Sequence, residues 1–86
     1  MDNNEEILKL IKDNPVFIFS LTRCPYCVRV KSLFDKLKVK YGVLELDKLD
    51  RVKEEKYENA LESMNKHYTY PQVFVNSTFI GGCDGN

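Results

Sequence analysis

Net charge is the first thing this chain lacks: 13 Lys and Arg stand against 13 Asp and Glu. A balanced chain exerts no broad attraction on phosphate backbones or anionic lipid, so binding to either would need a local basic cluster. The sequence holds none. It also lacks a long apolar run. Val16-Phe17-Ile18-Phe19 is the longest purely aliphatic and aromatic stretch, far below the roughly 20 residues that span a bilayer. The start, Met1-Asp2-Asn3-Asn4-Glu5-Glu6, is acidic where a secretory leader carries basic residues. Together these absences predict a soluble, cytoplasmic protein with no nucleic-acid or membrane partner. Cysteine is scarce as well. Three is an odd number and too few for the disulfide staples of small secreted domains, which leaves thiols for chemistry or for metal.

No repeat, low-complexity tract or linker divides the 86 residues, and a chain this short buries only about 60–65% of the surface its unfolded form exposes. A single domain over residues 1–86 with one small core is the expectation. Asn3 or Asn4 can cap a first helix, with Glu5 and Glu6 at the positive end of its dipole and Ile7, Leu8, Leu10 and Ile11 as an apolar stripe. That helix should stop near Asp13-Asn14-Pro15. Residues 16–20 are β-branched and aromatic on consecutive positions, the pattern of a central strand covered on both faces.

Pro25 suits the first position of a second helix, in which Cys27, Val30, Phe34 and Leu37 recur at helical spacing. Val43-Leu44-Glu45-Leu46 reads as a second strand and residues 50–65 as a third helix, with Tyr57, Ala60, Leu61 and Met64 on its apolar side. Residues 72–75 and 78–80 read as two strands joined across Asn76-Ser77, a weaker hairpin signal than Asn-Gly. The order α, β, α, β, α, β, β predicts an α/β fold whose sheet has parallel strands first and an antiparallel hairpin last.

Cys24-Pro25-Tyr26-Cys27 is the most specific feature. Two thiols at i and i+3 on the first turn of a helix can close a disulfide locally, and unpaired N–H groups there stabilise a thiolate. Cys24, at the tip, is placed to attack a disulfide; Cys27, beside the apolar stripe, is placed to resolve the product. Arg23 adds a neighbouring positive charge. The competing reading is zinc: Cys24, Cys27, His67 and Cys83 would make a Cys₃His set. No second Cys-x-x-Cys knuckle accompanies the first, and a strand-to-helix setting suits redox chemistry better.

Phe19-Ser20, Cys24-Pro25-Tyr26-Cys27, Thr69-Tyr70-Pro71-Gln72-Val73-Phe74 and Ile80-Gly81-Gly82-Cys83-Asp84 stand in the order and spacing of the dithiol glutaredoxins, which the chain resembles from about Val16 to Asp84. The resemblance implies a thioredoxin-like fold, a four-stranded mixed sheet flanked by helices. It implies an enzyme that reduces protein–glutathione mixed disulfides and protein disulfides, with glutathione as reductant and no metal. Cys24 would take the glutathionyl group and Cys27 would resolve it. Pro71 would be cis, which keeps a backbone N–H out of the cysteine site, and Tyr70, where the family has Val, would pair main chain to main chain with glutathione. Gly82, Cys83 and Asp84 would hold the γ-glutamyl end, Cys83 chiefly through its main chain; Tyr26 and Thr69 complete the expected contacts. Iron–sulfur carriage through Cys24 and glutathione is the alternative within the family, disfavoured by Pro25.

Two departures from the family carry expectations of their own. Leu21 occupies the place of a Lys that meets glutathione's glycine carboxylate, leaving His67, with Arg23 as the alternative cation, to do so. Family members also continue past the Gly-Gly-Cys-Asp segment with one or two helices over the face occupied by the helix after the cysteines. The sequence ends at Asn86, which predicts a core short of its final helix. Val28, Leu33 or Phe34 would be partly exposed, and dimerisation would be the alternative to a monomer.

Overall fold

A computed structural model describes residues 3–65 and 69–81. Helix α1 (Asn3–Asp13) leads into strand β1 (Val16–Ser20), then helix α2 (Pro25–Lys36) and strand β2 (Gly42–Glu45). A 3₁₀ turn (Leu46–Lys48) connects to helix α3 (Arg51–Asn65), which is followed by strands β3 (Gln72–Val75) and β4 (Thr78–Gly81). The sheet runs β2-β1-β3-β4. Strands β1 and β2 are parallel, which their connection through α2 requires, while β1–β3 and β3–β4 are antiparallel. The mixed four-stranded sheet is the one the sequence predicts, with strand boundaries corrected: the last strand runs on to Gly81. The second strand begins at Gly42 and gives up Leu46, whose fully buried side chain starts the 3₁₀ turn.

Consecutive strand residues point to opposite faces, and the two faces differ in depth. Phe17, Phe19 and Phe74 project to the side of α1 and α3, where Ile7, Ile11, Leu46 and Leu61 close over them. Their rings meet edge to face, Phe17 to Phe19 at 4.9 Å between centroids and Phe19 to Phe74 at 5.7 Å, an arrangement the ring quadrupoles favour. Ile18 and Val73 project to the other side, covered by Val30 with Phe34 and Tyr41. This second layer is thin. Val28 is 49% exposed and Leu33 52%, whereas Phe34 is half-buried against Tyr41. Leu8 and Leu37, both read as inward from their spacing, are exposed instead.

Local chemistry explains where the elements stop. Lys38 takes a left-handed conformation (φ 59°), so that its N–H reaches the Asp35 carbonyl at 3.1 Å and the Val39 N–H reaches that of Phe34 at 2.9 Å. This pair of bonds satisfies carbonyls that the end of α2 would leave unpaired. Asp50 caps α3 by accepting from the Lys53 N–H at 2.8 Å. Asn76 and Ser77 both have positive φ, 50° and 68°, as a tight hairpin turn matching the twist of its strands demands.

Candidate redox site

The parallel pairing of β1 and β2 brings their carboxyl ends side by side, and the candidate site is built there. The four residues after β1 make a turn, closed by the Cys24 N–H on the Leu21 carbonyl at 3.1 Å. Cys24 then serves as the N-cap of α2: its backbone is extended (φ −88°, ψ 118°), and its Sγ accepts from the Cys27 N–H at 3.4 Å. Pro25 follows at the start of the helix, where a missing N–H leaves no bond unmade. The sequence therefore delivers the first sulfur to an end where donors are unpaired, and the second to the first turn's inner side.

The two sulfurs occupy different surroundings. Cys24 is half-buried, and its thiol donates to the Tyr70 carbonyl at 3.5 Å across the site. Cys27 is fully buried, with the Leu21 N–H directed at its Sγ at 3.4 Å. Burial pushes the Cys27 thiol up to about 11, against the opposing pull of the Leu21 N–H. An anion there would lose water without gaining an opposite charge. Both cysteines are free thiols.

Tyr70-Pro71 is cis, as the motif predicts. Pro71 is buried, and the Tyr70 ring is half-buried against the α1–α3 cluster. Burial raises the Tyr70 hydroxyl, helped by the nearby Glu58, Glu62 and Glu54 carboxylates of α3. Thr69 is exposed, and its carbonyl accepts from the Gln72 amide at 3.4 Å. Tyr26 lies exposed at the start of α2, with the Arg29 guanidinium 5.5 Å from its ring centroid. Arg23 is at the tip of the turn, 70% exposed, with Nη1 on Asp47 Oδ2 at 3.2 Å. The cation expected to face a ligand is thus engaged by a carboxylate of the protein itself.

The structure brings together Cys24, Cys27 and Tyr70 and sets Arg23, Tyr26, Thr69 and Pro71 around them. His67, Gly82, Cys83 and Asp84 lie outside the described residues. Among the described residues no group of three or more His, Cys, Asp or Glu could hold a metal ion; the His and third Cys of the zinc reading are outside them too.

Two residues of the site escaped the sequence reading. Gln72, fully buried, accepts from the Asn65 amide at 2.9 Å and ties the end of α3 to β3. Asp47, in the 3₁₀ turn after β2, accepts from the Thr22 N–H at 3.0 Å, from the Thr22 hydroxyl at 2.6 Å, and from Arg23. The Thr22 hydroxyl and N–H hold the Asp47 carboxyl below its ordinary value, with a smaller contribution from Arg23. A signal for Asp47 was present. A polar residue just past one parallel strand lies beside whatever follows its neighbour, the edge where α/β sheets place their chemistry.

Residues 16–80 match the family model described as Glutaredoxin. The chain is 46% identical over 77 residues to human mitochondrial glutaredoxin-2, a stretch that covers 90% of this chain and 46% of that protein. It is 43% identical over 76 residues to a glutaredoxin of Ricinus communis, 88% of this chain and 72% of that one. The chain thus spans about half the length of the human relative. Among solved structures it superposes on the buckwheat glutaredoxin–glutathione complex with a TM-score of 0.90 at 38% identity, covering 95% of this chain and 73% of that one. The holo form of glutaredoxin C1 from Populus tremula x tremuloides gives 0.89 at 36% identity, covering 95% and 79%.

Proposed function

The chain belongs to the glutaredoxin family and has its thioredoxin-like fold, and from that membership we propose that it is a glutathione-dependent thiol–disulfide oxidoreductase working through Cys24 and Cys27. The observation that carries the reading is the difference between the two sulfurs. Cys27 is fully buried and held protonated near neutrality, with its thiol pushed up to about 11. Cys24 caps the helix at the surface and faces the Tyr70 carbonyl. Attack on an incoming disulfide therefore falls to Cys24 and resolution to Cys27.

In the first step the Cys24 thiolate attacks the glutathionyl sulfur of a protein–glutathione mixed disulfide. A Cys24–glutathione bond forms, and the protein's sulfur leaves as a thiolate that takes a proton from water. A second glutathione thiolate then attacks the glutathionyl sulfur on Cys24, which releases glutathione disulfide and regenerates the Cys24 thiolate. With a protein disulfide, Cys24 forms the mixed disulfide and Cys27, giving up its proton, attacks Cys24. The Cys24–Cys27 bond closes, the second protein thiolate departs, and two glutathiones reopen the pair.

Glutathione's cysteinyl unit is placed between Tyr26 and the Thr69-Tyr70-Pro71 segment. Support comes from the Tyr70 carbonyl, 3.5 Å from Cys24 Sγ, and from the buckwheat neighbour, solved with glutathione. Gly82, Cys83 and Asp84 take the γ-glutamyl end, and His67 or Arg23 the glycine carboxylate. The substrates are glutathionylated or disulfide-bonded proteins of the cytoplasm, a compartment that subcellular fractionation tests.

Glutathione-coupled reduction of a small mixed disulfide, run on wild type, Cys24→Ser and Cys27→Ser, tests the mechanism. Loss of all turnover in Cys24→Ser with much of it retained in Cys27→Ser is expected. Equal loss in both variants would replace the glutathione route with a purely dithiol one. Absence of turnover in all three would reject the reading.

A further inference from the structure

We infer that Asp47 is a positioning residue for the dithiol: its carboxylate clasps the turn of residues 21–24 from outside and holds both sulfurs in register for disulfide closure. The inference rests on the proposed exchange reaction and adds a residue that touches neither sulfur.

The geometry is a set of four bonds converging on one side chain. The Thr22 N–H reaches Oδ1 at 3.0 Å and Oδ2 at 3.1 Å, the Thr22 hydroxyl reaches Oδ2 at 2.6 Å, and Arg23 Nη1 reaches Oδ2 at 3.2 Å. Thr22 and Arg23 are the two central residues of the turn. The flanking residues hold the sulfurs. Leu21, first in the turn, directs its N–H at Cys27 Sγ, and Cys24, last in the turn, carries the attacking sulfur itself. The turn is therefore fastened at its middle by a residue 25 positions away in the chain, and at its ends it sets where each sulfur lies.

Asp47 is itself well anchored. It follows Leu46, a fully buried member of the larger core, and the 3₁₀ turn that carries it is closed by the Leu49 N–H on the Leu46 carbonyl at 3.1 Å. Its side chain is only 11% exposed. Hydrogen bonds to a charged acceptor are about twice as strong as neutral ones, so the clasp restrains a segment that otherwise holds itself by a single backbone bond across the turn.

The consequence for chemistry is entropic. When Cys27 gives up its proton and attacks the mixed disulfide on Cys24, one sulfur–sulfur bond forms and one breaks, and the departing sulfur carries off the electron pair as a thiolate that takes up a proton. Bond types are conserved, so how near the two sulfurs already are contributes directly to the position of equilibrium, alongside how well the protein stabilises the reduced thiols. With the clasp removed, the reduced turn gains freedom that closure must take away, and both the closing rate and the stability of the Cys24–Cys27 disulfide fall.

The test measures the disulfide equilibrium in glutathione redox buffers, trapping thiols by alkylation and counting them by mass, for wild type, Asp47→Ala and Thr22→Val. Asp47→Ala removes all four bonds; Thr22→Val removes only the hydroxyl's and keeps the shape. The expected result is a tenfold smaller equilibrium constant for closure in Asp47→Ala, equal to about 30 mV, and about threefold in Thr22→Val. Turnover of a disulfide-bonded protein should fall in the same order.

A purely structural role would lower the melting temperature and leave the equilibrium of the folded protein where it was; that outcome overturns the inference. Should Asp47→Ala fail to fold, Thr22→Val decides, and an equilibrium constant within experimental error of wild type rejects the clasp. If wild type shows no glutathione-coupled turnover and Asp47→Ala still shifts the equilibrium, the clasp stands and the proposed enzyme activity falls.

Discussion

Ionising Cys27 should destabilise the fold, and the size of that effect follows from its burial. The thiol is fully enclosed and is pushed from 9.0 to about 11, so the folded protein keeps a proton that the unfolded chain has begun to lose. An acid whose folded pKa is raised contributes stability that is complete below the unfolded value and is lost as the pH climbs through the folded one. The window here runs from 9.0 to about 11. At about 1.4 kcal/mol per pH unit, the loss across it is about 3 kcal/mol. Urea unfolding under reducing conditions from pH 7 to 11 measures it, comparing Cys24→Ser with Cys24→Ser/Cys27→Ala so that no Cys24–Cys27 disulfide intervenes. The stability gap between the two should shrink by about 3 kcal/mol in all, of which about 2 kcal/mol has appeared by pH 11, and by slightly less because Cys24 itself adds to the shift. A gap independent of pH would refute the assignment of Cys27 as a buried neutral thiol. The same shift leaves only about one Cys27 in ten thousand as thiolate at pH 7, so alkylation of Cys24→Ser at neutrality should be correspondingly slow.

Gly42→Ala should destabilise by about 1–3 kcal/mol. A Cβ there would fall 2.6 Å from Phe17 Cδ1 and 2.9 Å from Asn14 Oδ1, and Phe17 is packed in the core; chemical denaturation checks it, and an unchanged midpoint and slope would show that the ring moves freely. Lys38→Gly should stabilise by up to about 1 kcal/mol, because Lys38 sits at φ 59° with no glycine's freedom to be there; a drop in melting temperature would contradict this. Tyr57→Phe removes the 2.6 Å bond to Glu6 that joins α3 to α1, for a loss of about 1 kcal/mol. It should also abolish the tyrosine titration whose midpoint burial and Glu6 push up to about 12, which ultraviolet absorbance follows.

Much of the architecture was written in local pattern. Consecutive apolar residues at Val16-Phe17-Ile18-Phe19 marked a strand covered on both sides, and the two core layers divide along that alternation. Pro25 marked the start of α2 and so located Cys24 as its cap. The apolar side of α3, with Tyr57, Ala60, Leu61 and Met64, packs as its spacing implied. Helix periodicity was less reliable at the margins: Leu8 and Leu37 fit the inward stripe yet lie exposed. Leu37 terminates α2, where the cylinder that makes spacing meaningful has ended.

The sequence by itself determined the order of the elements and the redox pair, because each rests on residues a few positions apart; the segment that faces the pair was implied by the resemblance of Thr69-Tyr70-Pro71 to the family. Only the tertiary structure decided which carbonyl Cys24 meets, and that Asp47 holds the turn while occupying Arg23. Those bonds join residues 46, 25 and 24 positions apart. No periodicity survives such separations; the pairing exists because a parallel β1–β2 pair ends both strands at one edge of the sheet, and a cis Tyr70-Pro71 segment is folded against the same place.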